Sequence, residues 1–132
     1  MTSIAGLRLQ LVAPARMGAG DPVPIVIVAE NVGREPLELY LRGRTITFDI
    51  IAARLDGTVV WRRLEGAVTQ TILQLHVLQS GERLELSDEW NQLDNAGRPV
   101  EPGSYDLTGM LLTEDPDPLR TRPLLIRILA NS

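Results

Sequence analysis

The chain contains no cysteine, which excludes a disulfide frame, a thiol nucleophile and a thiolate zinc site together. It has a single histidine, His76. A Ser-His-Asp device needs its imidazole beside a nucleophile, and nothing in the sequence places one near His76. Apolar runs are only a handful of residues long, too short to cross a bilayer. There is no Walker loop and no Gly-x-Gly-x-x-Gly run, so no nucleotide or other cofactor is expected. Excess positive charge is also missing: 13 basic against 17 acidic residues leave a net charge of −4, the wrong balance for a nucleic-acid-binding module. The start, Met1-Thr2-Ser3-Ile4, has neither the basic nor the apolar region of a secretory signal, so a cytoplasmic protein is expected.

The 132 residues that are present are 44% hydrophobic and 23% charged, the composition of one globular domain over 1–132. A chain of this size buries about 68% of its unfolded surface, enough for a core without staples. Glycine and proline punctuate short apolar segments. Leu7, Leu9 and Leu11 alternate with Arg8 and Gln10, the period of a half-buried strand. The stretch from Pro14 to Asp21 reads as a loop. Val23 to Ala29 is continuously apolar, as expected of a strand covered on both faces. Asn31 to Pro36 is a turn, in which Asn31 and Gly33 suit relaxed φ angles, and Leu37, Leu39 and Leu41 alternate again.

In the Thr45 to Leu55 run, Ile46, Phe48, Ile50 and Ala52 share a face. Asp56-Gly57 then separates it from Thr58 to Trp61, a strong hairpin signal because both residues tolerate positive φ. Further strands are expected over Ile72 to Leu78, Leu84 to Trp90, Tyr105 to Leu111 and Leu124 to Ile128. Roughly nine short strands without a convincing amphipathic helix predict an all-β protein, a sandwich or barrel of mostly antiparallel strands.

Carboxylates are plentiful, but their spacing matches no metal-binding device. Asp115-Pro116-Asp117-Pro118 lacks the ligand pattern of a calcium loop and reads as a proline-stiffened loop. Asp94-Asn95-Ala96-Gly97 resembles the start of an acidic calcium loop but reads as a turn, since Asp, Asn and Gly supply turn conformations. Trp61 and Trp90 are expected in the core beside Phe48. Tyr105 is expected to bury its ring and place its hydroxyl on a nearby backbone group. No catalytic set emerges, and an enzyme is not expected.

One set of segments, strongest over residues 20–112, resembles the intracellular proteinase inhibitor (BsuPI-like) family of small Ig-like β-sandwiches. It comprises Asp21-Pro22-Val23-Pro24-Ile25, Glu30-Asn31-Val32-Gly33-Arg34-Glu35-Pro36, Phe48-Asp49, Asp56-Gly57, Val60-Trp61-Arg62 and Thr69-Gln70. Glu89-Trp90-Asn91 and the run from Asn95 through Pro102-Gly103-Ser104-Tyr105 to Leu107-Thr108-Gly109 complete it. The chain departs from the family at Ser80-Gly81-Glu82, where Pro-Gly-Glu is usual, and at Gly66 to Gln70, where aromatics are frequent. The first change should keep the turn; the second bears on target choice.

The resemblance implies a single Ig-like sandwich that inhibits or regulates a cytoplasmic subtilisin-like serine protease through a surface loop. The alternative is a generic Ig-like interaction or self-association module, as monomer or homodimer, without nucleic-acid or membrane partners. The loops from Leu64 to Gln70, Asn91 to Gly103 and Glu114 to Arg122 are all candidates for partner contact. The residues singled out are Leu64, Glu65, Val68, Thr69, Gln70, Asp115, Asp117, Leu119 and Arg120.

Overall fold

The computed structural model describes residues 4–43, 46–67 and 72–130. Its strands are β1 (Leu7–Val12), β2 (Arg16–Gly18), β3 (Val23–Asn31), β4 (Leu37–Arg42), β5 (Phe48–Arg54) and β6 (Val59–Arg62). They continue as β7 (Leu73–Leu78), β8 (Arg83–Trp90), β9 (Gly103–Leu111), β10 (Leu119–Arg120) and β11 (Leu124–Leu129). One sheet has the order β1-β3-β8 and a second the order β2-β11-β9-β5-β6, with β10 also on β9; β4 and β7 form a two-stranded third. The all-β, Ig-like sandwich expected from the sequence is the architecture observed.

Two strands went unrecognised because they are too short to show a period. β2 lies inside the expected Pro14–Asp21 loop and pairs parallel with β11, Arg16 opposite Arg127. β10 places Leu119 opposite Leu111 on β9. The strand covered on both faces is also a different one. β3 alternates between buried positions and exposed or half-buried ones, whereas Phe48 to Ala52 of β5 are all buried.

The first core cluster fills the space between the two larger sheets, with Ile25, Ile27, Ile50, Leu107, Ile126 and Trp90 at its centre. Trp90 is stacked on Trp61, ring centroids 5.9 Å apart, and meets Tyr105 edge-on at 5.6 Å. Its indole N–H donates to the Leu93 carbonyl at 3.0 Å. The Tyr105 hydroxyl donates to the Glu101 carbonyl, as a tyrosine at the start of such a strand does in Ig-like sandwiches. Trp90 thus lies in the core with Phe48, while Trp61 is half-buried and packs against that core.

The Asp56-Gly57 hairpin forms with a different turn from the expected one. Gly57 has φ 93° while Asp56 does not enter the positive region. Gly57 N–H donates to Arg54 O and Arg54 N–H to Thr58 O. This is a turn closed by one left-handed glycine, with a register shift between Ala52 and Ala53. The Asn31–Pro36 turn likewise uses neither Asn31 nor Gly33 in positive φ. Asn31 works through its side chain instead. Fully buried, it donates from Nδ2 to the carbonyls of Glu35 (2.8 Å) and Leu78 (2.9 Å) and accepts from Gly33 N–H at 2.9 Å.

That side chain sits at a joint. The β3–β8 ladder ends near Glu30 and Arg83, and the β4–β7 ladder resumes at Leu37 and Leu78. β4 and β7 thus prolong the β3–β8 ribbon past a break. They bury Leu39, Leu41 and Leu78 with Leu111 and Leu119 in a second cluster. The Ser80-Gly81-Glu82 segment keeps its turn, with Gly81 at φ 83° and Glu82 N–H on Gln79 O.

Candidate protein-binding surface

Leu64 and Glu65 follow β6, and their position is set by Arg63. Its guanidinium lies 3.7 Å above the Phe48 ring, donates to Phe48 O at 2.7 Å and pairs with Asp88 at 2.6 Å. Phe48 and Asp88 belong to different sheets, so one side chain ties the sandwich together where the loop leaves it. Leu64 N–H then donates to the buried Asp49 carboxylate at 3.0 Å. Glu65 N–H on Arg62 O and Ala67 N–H on Leu64 O complete two successive turns. Val68, Thr69 and Gln70 lie outside the described residues.

Asp115 and Asp117 stand on the segment between β9 and β10. Asp115 N–H donates to Thr113 Oγ1 at 3.2 Å and Asp117 N–H to Asp115 Oδ1 at 2.9 Å. Arg120 closes the loop by pairing with Asp117 at 3.6 Å. Pro116 and Pro118 fix φ between these contacts. Leu119 differs from its neighbours: it is 3% exposed and packs in the second core cluster, so its side chain anchors the loop from beneath.

The structure brings two of the three candidate loops to one groove. Leu64, Asp115, Pro116 and Pro118 line a cavity of about 310 Å³ with Arg42 and Met110. Arg42 is held there by its Nε, which donates to Thr113 O at 2.5 Å. Glu65 faces the other way, onto a depression of about 410 Å³ shared with Asp94, Asn95 and Ala96 of the third loop. Leu64 and Glu65 therefore stand at the junction of the other two segments.

The Asn91–Gly103 loop has a structural task that sequence reasoning missed. Asn95 Oδ1 accepts from Arg62 N–H at 2.8 Å and its Nδ2 donates to Arg62 O at 3.1 Å, while its own N–H reaches Val60 O. An asparagine side chain thus covers the border of β6 as a strand would. Asp94 turns its carboxylate onto the N–H groups of Ala96 and Arg98, both at 2.9 Å. The Arg98 N–H is the main cause of its lowered pKa. Gln92, buried at φ 59°, bonds Gly18 O, Asp21 O and Gly20 N–H. The sequence marked Asn95 only as part of a turn and gave Gln92 no individual signal, because both act across more than thirty positions.

His76 is half-buried on β7, on the same face as Gln74. Among the described residues no group of three or more His, Cys, Asp or Glu could hold a metal ion, and no helix is long and apolar enough to cross a membrane.

These features define a β-sandwich scaffold that presents short, internally braced loops. The sequence matches the profile of the BsuPI family, intracellular proteinase inhibitor, over residues 12–116, and the chain belongs to that family. The family is described as one of intracellular proteinase inhibitors, generally not catalysts, which implies a proteinase as partner in general. No curated protein matches the sequence significantly.

Among solved structures, the CARDB domain of a Pyrococcus furiosus protein in complex with di-metal ions is similar over 98% of this chain and 100% of that one. The TM-score is 0.50 at 11% identity. The alkylpurine DNA glycosylase AlkC of Pseudomonas fluorescens, bound to DNA containing an abasic site analog, aligns with 97% of this chain but only 32% of its own. Its TM-score is 0.52 at 15% identity. At these identities the likeness concerns the fold alone.

Proposed function

We propose that this protein is a non-catalytic domain that inhibits or regulates a subtilisin-like serine protease in the cytoplasm. Contact is made through the groove between the Leu64–Ala67 turns and the Asp115–Pro118 loop. The observation that carries this reading is the convergence of Leu64 and Asp115 on one cavity in a chain of an inhibitor family. Two prolines, two side-chain-to-backbone bonds and the Asp117–Arg120 pair hold the loop in one shape before binding. A segment already ordered loses less entropy in a cleft, which favours affinity. Exposed Asp115 and Arg120 supply polar contacts at the rim, and Leu64 the apolar one.

Replacing Asp115–Pro118 with a Gly/Ser segment of equal length tests the assignment. Leu119 and Thr113 stay in place, so the variant should keep its fold by circular dichroism and lose protease inhibition. Full inhibition by a folded loop variant, and also by Leu64→Ser, would remove this groove from the contact surface.

A further inference from the structure

The unpaired borders of the sheets are not treated alike. β8 carries Arg83, Glu85, Asp88 and Glu89 along its length, charges that discourage the addition of another strand. β1 carries Arg8, paired with Glu30 at 2.5 Å. β6 is covered by Asn95. β7 has no such guard. Its sequence, Leu73-Gln74-Leu75-His76-Val77-Leu78, contains no Asp, Glu, Lys, Arg or Pro, and among the described residues no strand lies beyond it.

The hydrogen bonds fix which backbone groups this border offers. Ile72 O accepts from Gly43 N–H at 2.7 Å and Leu78 O from Asn31 Nδ2, so even-numbered residues turn their backbone groups toward β4. On the far side of β4, Arg42 N–H donates to Leu112 O and Tyr40 O accepts from Glu114 N–H, the complementary parity. Alternation then turns the N–H and C=O groups of Leu73, Leu75 and Val77 outward. The same three side chains are 44%, 51% and 39% exposed, and Tyr40, opposite Leu75, is 41% exposed. An apolar strip therefore lies beside a row of open hydrogen-bonding groups.

We propose that β7 pairs antiparallel with β7 of a second copy of this chain, across a two-fold axis at Leu75. Leu75 then faces the partner's Leu75, and Leu73 faces the partner's Val77. All three are hydrogen-bonded pairs, so about six backbone bonds form. The charges suit a second copy. Glu38 lies opposite Val77 and Arg42 opposite Leu73. The two-fold arrangement therefore ends both outer apolar rows with Glu38 on one side and the partner's Arg42 on the other, and the central row with a Tyr40 from each copy. A symmetric contact of this kind is self-complementary and closes at two copies.

Size-exclusion chromatography with light scattering on the full chain, from micromolar to millimolar concentration, tests the pairing. The wild type is expected at twice the chain mass. Leu75→Lys places like charges opposite each other at the axis and should weaken the dimer at least about tenfold without changing the circular dichroism spectrum. Leu73→Lys alone should weaken it too, while Leu73→Lys with Val77→Glu opposes unlike charges and should restore it. If Leu75→Lys fails to fold, Leu73→Lys and the double variant carry the test. A wild type monomeric throughout overturns the proposal, as does a dimer indifferent to these changes or a double variant no better than Leu73→Lys.

Discussion

Asn31 Nδ2 donates to the carbonyl of Leu78 across 47 positions of sequence, at 2.9 Å. One amide thereby connects the end of β3 to the end of β7. The joint between the main sandwich and its β4–β7 extension holds because that amide satisfies backbone groups a regular ladder would have paired.

Asn31→Ala removes the donor and leaves the Glu35 and Leu78 carbonyls without it. A buried unsatisfied group costs about 1–3 kcal/mol, so a loss of about 2–3 kcal/mol is expected in urea unfolding. Asn31→Asp should cost at least as much, because its charge faces the same two carbonyls. A loss below about 0.5 kcal/mol in both would contradict the role given to this side chain.

Gly109 on β9 lies directly against Ile27 and Leu11 of the facing sheet. A Cβ there would stand 2.8 Å from Cγ1 and Cδ1 of Ile27 and 3.1 Å from Leu11 Cδ1. Gly109→Ala should therefore destabilise by about 1–3 kcal/mol through overpacking. Part of that loss should vanish in the background of Ile27→Ala, where the obstructing atoms are gone. A double-mutant cycle measures it, and strict additivity would show that the sheets yield elsewhere.

Burial raises the pKa of the Tyr105 phenol above its ordinary 10.0, the Arg54 charge opposing and Glu101 reinforcing. A raised folded pKa means that the stabilisation is complete below pH 10 and is lost as pH rises through the folded value. Stability should thus fall at alkaline pH in the wild type and fall less in Tyr105→Phe. That variant should also be about 1 kcal/mol less stable at neutral pH, having lost the bond to Glu101 O. Parallel alkaline titrations of the two proteins would contradict this.

Acid acts through other groups. Hydrogen bonds from Arg8 to Glu30, from Thr58 to Asp56 and from Arg98 to Asp94 lower these carboxyl pKa values. Their contribution is present above the ordinary values of 4.5 and 3.8 and is lost as pH falls through the lowered folded ones. Unfolding midpoints should therefore decline below about pH 4, and Asp94→Asn should flatten part of that decline. An unchanged acid limb in Asp94→Asn would remove the Asp94 turn from the account.

The fold was legible where burial is periodic or a turn has its own chemistry. Leu7–Leu11, Leu37–Leu41 and Leu124–Ile128 announce strands by alternation, and Asp56-Gly57 announces a hairpin, although its detailed turn depends on a bulge the sequence does not display. β2 and β10 are two or three residues long and exist only because β11 and β9 lie beside them. At β5, Arg63 folds over Phe48 and Leu64 onto Asp49, tertiary contacts that no local pattern displays. The candidate loops could be named but not ranked. Only the fold shows that Leu64 and Asp115 share a groove, that Leu119 faces inward and that Asn95 closes a sheet border.

The proposed function requires that this sandwich bind and silence a protease. The direct measurement is a titration of a purified cytoplasmic subtilisin-like serine protease with the intact chain, following hydrolysis of a peptide substrate. Activity is expected to fall in proportion to added protein and to vanish near equal amounts. Full activity in the presence of a large excess of the folded chain would contradict it.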